Sequence, residues 1–296
     1  MIRKIGEMVI AFDCEWIPDA ASAQLLYPDT YGLSEEALLE KLWEGNGATE
    51  ENPHPFVRLM QSRVVSIAML IREVKPHLPK ENQVELKLVW LPKKPDDAAS
   101  RDERKVVGGF LAAVGNKAPQ LVGFNSRNSD LRILAQRALA LGIPAKGFLN
   151  RPAKPWEGVD YFGRDCDESI DLMELIAGGF SGRNAAVSLH EAATLCGIPG
   201  KFGSHGDQVF EMWQAGRYRD IVEYNCYDAI TTYLLWLRLA WISGRFSEDE
   251  YEAEQELLRQ YLMGLTENPE TEFIGAFLEE WDRLQDIKDQ VHPRKK

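Results

Sequence analysis

The sequence lacks the marks of several common protein classes. It has four cysteines and no C-x-x-C pair, which excludes a disulfide framework and a zinc knuckle. Its five histidines form no H-x-x-x-H or H-x-x-E-H pattern, so a histidine-zinc hydrolase is not expected. No apolar run approaches the roughly 20 residues that cross a bilayer, and the N-terminus lacks the apolar stretch of a signal peptide. We therefore expect a protein of the reducing cytoplasm without a membrane partner.

Positive charge is also scarce. The 296 residues include 34 Lys and Arg against 46 Asp and Glu, a formal net charge of -12, which excludes a basic nucleic-acid-binding tail. The imbalance is concentrated at the end of the chain, because residues 246–296 contain 14 acids and 6 bases. We interpret that segment as two amphipathic helices with a solvated acidic face. The main body is nearly neutral.

Strand patterns come first in the chain and are followed by an alternation of strands and helices. Residues 8–16 read as a buried central strand, residues 63–71 as a second strand, and residues 84–91, which alternate, as an edge strand. This order predicts an α/β fold with a mixed sheet. We divide the chain into a main domain (1–245) and an acidic helical C-terminal extension (246–296). Within the main domain, residues 19–62 form an inserted segment, here called the flap.

Capping residues and apolar spacing place the remaining elements. Ser34 is expected to cap a helix in the flap, and Asn128 or Ser129 a helix that runs to Leu141 and ends at Gly142. Residues 143–167 are rich in Gly, Pro and aromatics and read as a loop, and residues 169–176 as a strand end or a helix. The other predicted elements are a strand at 120–124 and helices at 101–114, 188–196, 208–215 and 218–242.

Two acids interrupt the first strand. Asp13 and Glu15 are two residues apart, so their side chains share one face of the strand, while Phe12 and Cys14 point to the other. Two carboxylates inside an apolar strand cost several kcal/mol unless cations neutralise them or the site opens to water. A divalent ion satisfies that requirement. The alternative is a strand end that reaches solvent, with both acids paired to Arg or Lys.

Two further acids lie on predicted helices. Asp130 falls in the first helical turn after strand 120–124, where an acid also commonly interacts with the helix dipole. Tyr224 and Asp228 are four residues apart and therefore share one helical face, which is equally compatible with simple packing. Tyr161 and Asp165 have the same spacing, but we reject them because a loop does not fix a shared face.

These segments, FDCE, FNSRNSD and YNCYD, occur in an order that resembles the three exonuclease motifs of the DEDD superfamily. The tyrosine four residues before the last Asp marks the DEDDy branch, whereas the histidine branch has a His at the position that Glu223 occupies here. Over residues 8–242 the chain is similar to stand-alone predicted 3′–5′ exonucleases related to the proofreading domain of family-B DNA polymerases. Trp16 departs from the smaller polar residue of many relatives, and the spacing from Asn125 to Asp130 is slightly longer.

The resemblance implies a ribonuclease H-like three-layer fold and a two-metal 3′–5′ exonuclease that acts on single-stranded DNA and releases 5′-mononucleotides. Its implied catalytic set is Asp13, Glu15, Asp130, Tyr224 and Asp228. The four acids would bind two Mg²⁺ or Mn²⁺ ions, for which carboxylate oxygens are suitable ligands, and Tyr224 would orient the attacking water.

Other residues and other functions are weaker alternatives. Asp171 matches an acid of the wider superfamily, but we assign it a structural role. Four basic residues are candidates for phosphate contact: Arg127, Arg132, Arg183, and Lys201, which lies in a glycine-rich loop. Two rival functions stay open: a 3′–5′ exoribonuclease, and a non-catalytic module that binds nucleic acid or protein on the same fold. Protein partners are unknown.

Overall fold

A computed structural model describes residues 2–79, 83–154, 156–163, 166–178, 187–200 and 208–292. Within these residues five strands form one mixed sheet in the order β3-β2-β1-β4-β5. The strands are β1 (Met8–Pro18), β2 (Ser62–Val74), β3 (Val84–Leu91), β4 (Gln120–Gly123) and β5 (Ser169–Asp171). Strand β2 is antiparallel to β1 and β3, whereas β4 is parallel to β1 and β5.

Eleven α-helices are present in the described part of the chain. They are α1 (Ala20–Leu26), α2 (Glu35–Gly45), α3 (Glu103–Lys117), α4 (Asp130–Leu141), α5 (Lys146–Leu149), α6 (Leu172–Ile176), α7 (Leu189–Leu195), α8 (Val209–Gln214), α9 (Tyr218–Ile242), α10 (Glu248–Leu265) and α11 (Ile274–Val291). None of the described helices is long and apolar enough to cross a membrane.

Alternation along the central strand divides the core into two layers. Val9 and Ala11 of β1 face a cluster that includes α9, whereas Phe12 faces a second cluster with α3 and α4. The sheet is thus covered by helices on both faces, as its nearly continuous apolar strands require. This arrangement confirms the predicted ribonuclease H-like fold, with a mixed central sheet flanked by helices.

The C-terminal helices complete the α9 side of the core. Leu258 of α10 and Phe277 of α11 are fully buried in the same cluster as the sheet residues. A buried ion pair reinforces this packing, because Arg72 of β2 donates from Nε to both carboxylate oxygens of Glu254, each at 3.0 Å. Tyr233 also donates to Glu254, at 3.1 Å. The predicted helical extension is present, while the domain boundary at residue 245 stays a prediction.

The flap leaves the sheet at the end of β1 and returns at the start of β2. Its helix α2 begins after Ser34, whose side chain accepts a hydrogen bond from the Ala37 N–H, as predicted. The two ends of the flap are joined, because the Asp19 N–H donates to the Gln61 carbonyl at 3.0 Å. The flap has its own small apolar core around Leu42, and Trp43 belongs to it.

Arg137 of α4 fastens the flap to the body. Its guanidinium donates to Asp19 at 2.9 Å, to both carboxylate oxygens of Glu103 at 2.8 and 2.6 Å, and to the Met60 carbonyl at 3.2 Å. All three charged side chains are buried. A buried charge is tolerated only when it is paired and hydrogen-bonded, and this network meets that condition.

Two elements differ from the sequence-based expectation. The segment 143–167, predicted as a loop, contains the one-turn helix α5. A β-carbon at Gly147 would lie 2.3 Å from the Cα of Gly115, so this helix packs on α3 through direct backbone contact. The flap also contains α1, which the sequence analysis missed. It begins after Asp19, whose carboxylate accepts a hydrogen bond from the Ala21 N–H.

Candidate active site

Strand β1 presents its two acids toward α9. Asp13 and Glu15 continue the face of Val9 and Ala11, while Cys14 packs on the opposite layer. The register of β1 against β2 shifts between Glu15 and Trp16, which marks a β-bulge at the end of the acidic segment. Bulges of this kind redirect side chains at the end of a ladder. The predicted shared face for Asp13 and Glu15 is what the structure shows.

Helix α9 brings the third acid to this face. Carboxylate oxygens of Asp13, Glu15 and Asp228 all lie within 4.8 Å of one another. Glu15 is 9% exposed and Asp228 is 3% exposed, so two of the three carboxylates are largely withdrawn from water. Crowded carboxylates repel one another, and burial increases the repulsion. This all-oxygen set of donors fits a hard divalent cation such as Mg²⁺ or Mn²⁺.

Asp130 is not one of these three clustered acids, but it lines the same cleft and contacts the backbone of β1. It is the first residue of α4, and its Oδ1 accepts a hydrogen bond from the Cys14 N–H at 3.0 Å. Its Oδ2 accepts one from the Ser129 hydroxyl at 2.7 Å. Burial raises the pKa of Asp130 to about 6, and these hydrogen bonds partly oppose the rise. The backbone between Asp13 and Glu15 is therefore bonded directly to the fourth predicted acid.

Tyr224 lies one helical turn before Asp228, as the spacing predicts. Its side chain is buried beside Ile17 and Val65. Burial raises the pKa of the phenol, and the charges of Asp228, Glu15 and Asp13 raise it further. The phenol is thus neutral and protonated across the physiological range, so it serves as a hydrogen-bond donor and not as a base.

Two residues that the sequence analysis did not select hold Asp13 in place. The Asn225 amide donates from Nδ2 to Asp13 Oδ2 at 2.7 Å, and the Ser66 hydroxyl donates to Asn225 Oδ1 at 2.9 Å. Asn225 and Ser66 are both fully buried. A polar amide on the buried face of the apolar helix α9 is the sequence signal that could have identified Asn225.

Asp171 shapes the turn that leads to Asp130. Its two carboxylate oxygens accept hydrogen bonds from the backbone N–H groups of Asn125 and Arg127, at 2.9 and 3.0 Å. It also caps α6 through the Glu174 N–H. Asn125 has a left-handed backbone, with φ of 59°, and its N–H bond to Asp171 stabilises this unusual conformation. These contacts agree with the structural role assigned to Asp171.

The two basic candidates for phosphate contact that the structure describes bond to backbone carbonyls. Arg127 donates to the carbonyls of Ser169 and Gly163, at 2.9 and 3.3 Å, and so braces the loop beneath Asp130. Arg132 is exposed and donates to the Arg127 carbonyl at 2.9 Å. Arg183 and Lys201 lie outside the described residues.

The four acids line one open cleft of about 700 Å³. Its lining includes two rings that are close in sequence to acids, Trp16 directly after Glu15 and Phe124 between β4 and α4. The flap and α8 also contribute to the lining, with the aromatic residues Trp43, His54, Phe56 and Phe210. A cleft with acids and aromatic rings in one concave surface is suited to a ligand that has both phosphates and planar rings, provided that cations neutralise the acids.

Comparison with known proteins places the chain in a family. Residues 54–281 match the model of a family described as "Predicted 3'-5' exonuclease related to the exonuclease domain of PolB". The matched segment contains Asp130, Tyr224 and Asp228, and it begins after Asp13 and Glu15. No curated protein matches the chain.

Among solved structures, the chain is similar to the family B DNA polymerase from the hyperthermophilic archaeon Pyrobaculum calidifontis. The two are 19% identical with a TM-score of 0.42, over 78% of this chain. The aligned part is 25% of the polymerase chain, so the present chain corresponds to about a quarter of that protein. Since the family model spans well over half of the sequence, this chain belongs to the family of predicted 3′–5′ exonucleases related to the exonuclease domain of PolB.

Proposed function

We propose that the protein is a metal-dependent 3′–5′ exonuclease that removes nucleotides from the 3′ end of single-stranded DNA and releases 5′-mononucleotides. The observation that carries this proposal is the convergence of Asp13, Glu15 and Asp228, whose carboxylate oxygens lie within 4.8 Å of one another. Three crowded carboxylates repel one another in the absence of cations. A metal-dependent exonuclease needs such a group to bind its ions, and the chain belongs to a family of predicted exonucleases.

The acids divide into two sets of ligands. Asp13, Glu15 and Asp228 would hold one divalent ion, and Asp13 with Asp130 would hold a second. Divalent ions in such sites lower the pKa of a bound water and stabilise charge on the leaving oxygen. The raised pKa of Asp130, about 6, fits a carboxyl whose ionised form needs a nearby cation.

Residues around the acids orient the reactants. Asn225 fixes the rotamer of Asp13, so that this carboxylate is positioned to bind both ions. Tyr224 is a neutral donor beside Asp228 and would orient the attacking water by a hydrogen bond. Trp16 directly follows Glu15 and lines the cleft with Phe124, so these two rings would contact the terminal nucleotide.

The direct test is degradation of a 5′-labelled single-stranded oligonucleotide with Mg²⁺ or Mn²⁺. We expect a ladder that shortens from the 3′ end and stops on addition of EDTA. Asp228→Asn should reduce the rate by about 1000-fold, which corresponds to losing several kcal/mol of metal-dependent stabilisation. Asp286→Asn, an exposed acid on α11, is the matched control and should act like wild type.

An inert wild type with both metals, or full activity in Asp228→Asn, would contradict the proposal. Matched DNA and RNA oligonucleotides in the same assay measure the sugar preference, because only RNA offers a 2′-hydroxyl.

A further inference from the structure

The flap carries an aromatic surface that is distinct from the two rings beside the acids. Trp43 is buried in the core of the flap, and its ring supports His54, with 4.2 Å between ring centroids. The edge of Phe210 packs against the same indole at 5.6 Å. His54 is exposed, and Phe56, two residues further along, is 72% exposed. Both rings line the same cleft as the acids.

The charges of the cleft limit what these rings can bind. Its described lining includes five acids, Asp13, Glu15, Asp130, Glu211 and Asp228, and no Lys or Arg. Neutralisation of phosphates by basic side chains, the usual source of affinity for nucleic acid, is therefore weak along this surface. Stacking of bases on aromatic rings is the other main source, and it needs no positive charge.

We propose that His54 and Phe56 form an additional nucleotide subsite, in which a base upstream of the terminal nucleotide stacks on the flap. The inference rests on the proposed function. Trp16 directly follows Glu15, and Phe124 lies between β4 and the helix that begins with Asp130, so the terminal nucleotide has its own rings. His54 and Phe56 come from a different segment of the chain, the flap, which lines the same cleft. A base inside a duplex has both faces covered, so this subsite accepts only an unpaired strand.

The test measures binding separately from hydrolysis. The full-length protein is titrated, with Mn²⁺ present, into a 5′-fluorescein hexamer of deoxyadenylate whose 3′ linkages are hydrolysis-resistant phosphorothioates. Phe56→Ala should raise Kd about five- to thirtyfold, in the range known for the loss of one base–aromatic stack. Tyr31→Ala is the matched control, since Tyr31 is a fully exposed flap aromatic outside the cleft lining. Its Kd should equal that of wild type.

A second series removes the base instead of the ring. Hexamers with one abasic nucleotide at each of the first four positions from the 3′ end are bound to wild type and to Phe56→Ala. At one internal position the abasic substitution should weaken binding to wild type but not to Phe56→Ala, because the stack is already lost. Phe56→Trp should restore binding to intact hexamer.

Two results would overturn the inference. One is equal Kd values for Phe56→Ala and Tyr31→Ala. The other is the same ratio of Phe56→Ala to wild-type Kd for every abasic hexamer as for the intact hexamer. Its outcome is distinguishable from that of the nuclease assay. Stacking without hydrolysis of an unmodified hexamer would support the subsite while contradicting the exonuclease proposal. Hydrolysis with no effect of Phe56→Ala on binding would do the reverse.

Discussion

At the scale of single residues, the proposed metal site predicts that stability depends on divalent ions. Asp13, Glu15 and Asp228 repel one another in the apo protein, and a bound cation converts this repulsion into attraction. Anything that binds only the folded state stabilises it, by about 2.7 kcal/mol at 100 times Kd. We expect Mn²⁺ to raise the melting temperature of wild type by roughly 5 °C, given the usual sensitivity of a domain this size.

Asp228→Asn should abolish the stabilisation by Mn²⁺. In EDTA it should melt at or above the wild-type temperature, because one crowded charge is gone, and Mn²⁺ should no longer raise its melting temperature. Differential scanning calorimetry with and without Mn²⁺ measures both effects. Equal Mn²⁺ shifts in the two proteins would show that the acids do not form the metal site.

Asn225 is the second residue whose replacement has a defined consequence. Asn225→Ala removes the donor to Asp13 and leaves the buried Ser66 hydroxyl without its acceptor. Loss of a partner from a buried hydrogen-bonded network costs about 1–3 kcal/mol. We expect a loss of that size in urea denaturation, together with a lower kcat, because Asp13 is no longer held in one rotamer.

Ser66→Ala separates these two effects. It removes only the distal hydrogen bond and keeps the Asn225 contact to Asp13, so stability should fall while kcat changes little. If kcat of Asn225→Ala matched that of Ser66→Ala, Asn225 would have no positioning role.

At the scale of elements, one helix connects the flap to the site. Helix α4 begins with Asp130 and carries Arg137 two turns later, where the guanidinium pairs with Asp19 and Glu103. Arg137→Met would leave two buried carboxylates without their cation, and removal of one partner from a buried pair typically costs 3–5 kcal/mol. We expect a loss of about that size in the free energy of unfolding, measured with urea.

Arg132→Met is the matched control on the same helix. Arg132 is exposed, so its replacement should cost no more than about 1 kcal/mol. Similar losses for the two variants would indicate that the Arg137 network adds little to stability.

The elements also show what the sequence could predict. Period-2 alternation placed Asp13 and Glu15 on one face, and Ser34 and Gly142 marked helix ends where the structure has them. Ser129 occupies the cap position of α4, but its hydroxyl bonds to the Asn125 carbonyl and Asp130 instead of capping. Residues 169–176, left open as strand or helix, are both, because Asp171 ends β5 and caps α6.

The missed features depend on contacts between distant segments. Ser66 and Asn225 are 159 residues apart, and no local pattern pairs them. Helix α5 is a single turn that exists because Gly147 fits against Gly115 of α3. The aromatic lining of the cleft depends on the fold of the flap, since Trp43 packs against Phe210, which lies more than 160 residues away in the sequence.

At the scale of the whole molecule, the C-terminal helices are part of the core. Removal of residues 246–296 would expose the core cluster that includes α9 and would leave Arg72 without its Glu254 partner. We therefore expect the fragment 1–245 to lack a cooperative thermal transition by circular dichroism. A fragment 1–245 that melts like the full chain would instead support an independent main domain.

The scarcity of basic side chains in the cleft determines how affinity responds to salt. Binding to single strands changes with salt by a log–log slope of about -0.7 for each phosphate neutralised. The cleft lining has no Lys or Arg among its described residues, so we expect one or two phosphate contacts and a loss of less than about tenfold in affinity between 50 and 200 mM salt. Fluorescence anisotropy at constant Mn²⁺ measures this slope. A loss of about 1000-fold would reveal a basic track elsewhere on the surface.

The joined ends of the flap have a consequence for how such proteins diversify. Because the Asp19 N–H donates to the Gln61 carbonyl, the flap begins and ends at neighbouring points on the sheet. The entropy of closing a loop changes only slowly with its length, so a shorter or longer segment could connect these points at little cost. In the proposed exonuclease, the flap can therefore change during evolution and alter which nucleic acid is accepted, while the four acids keep their positions.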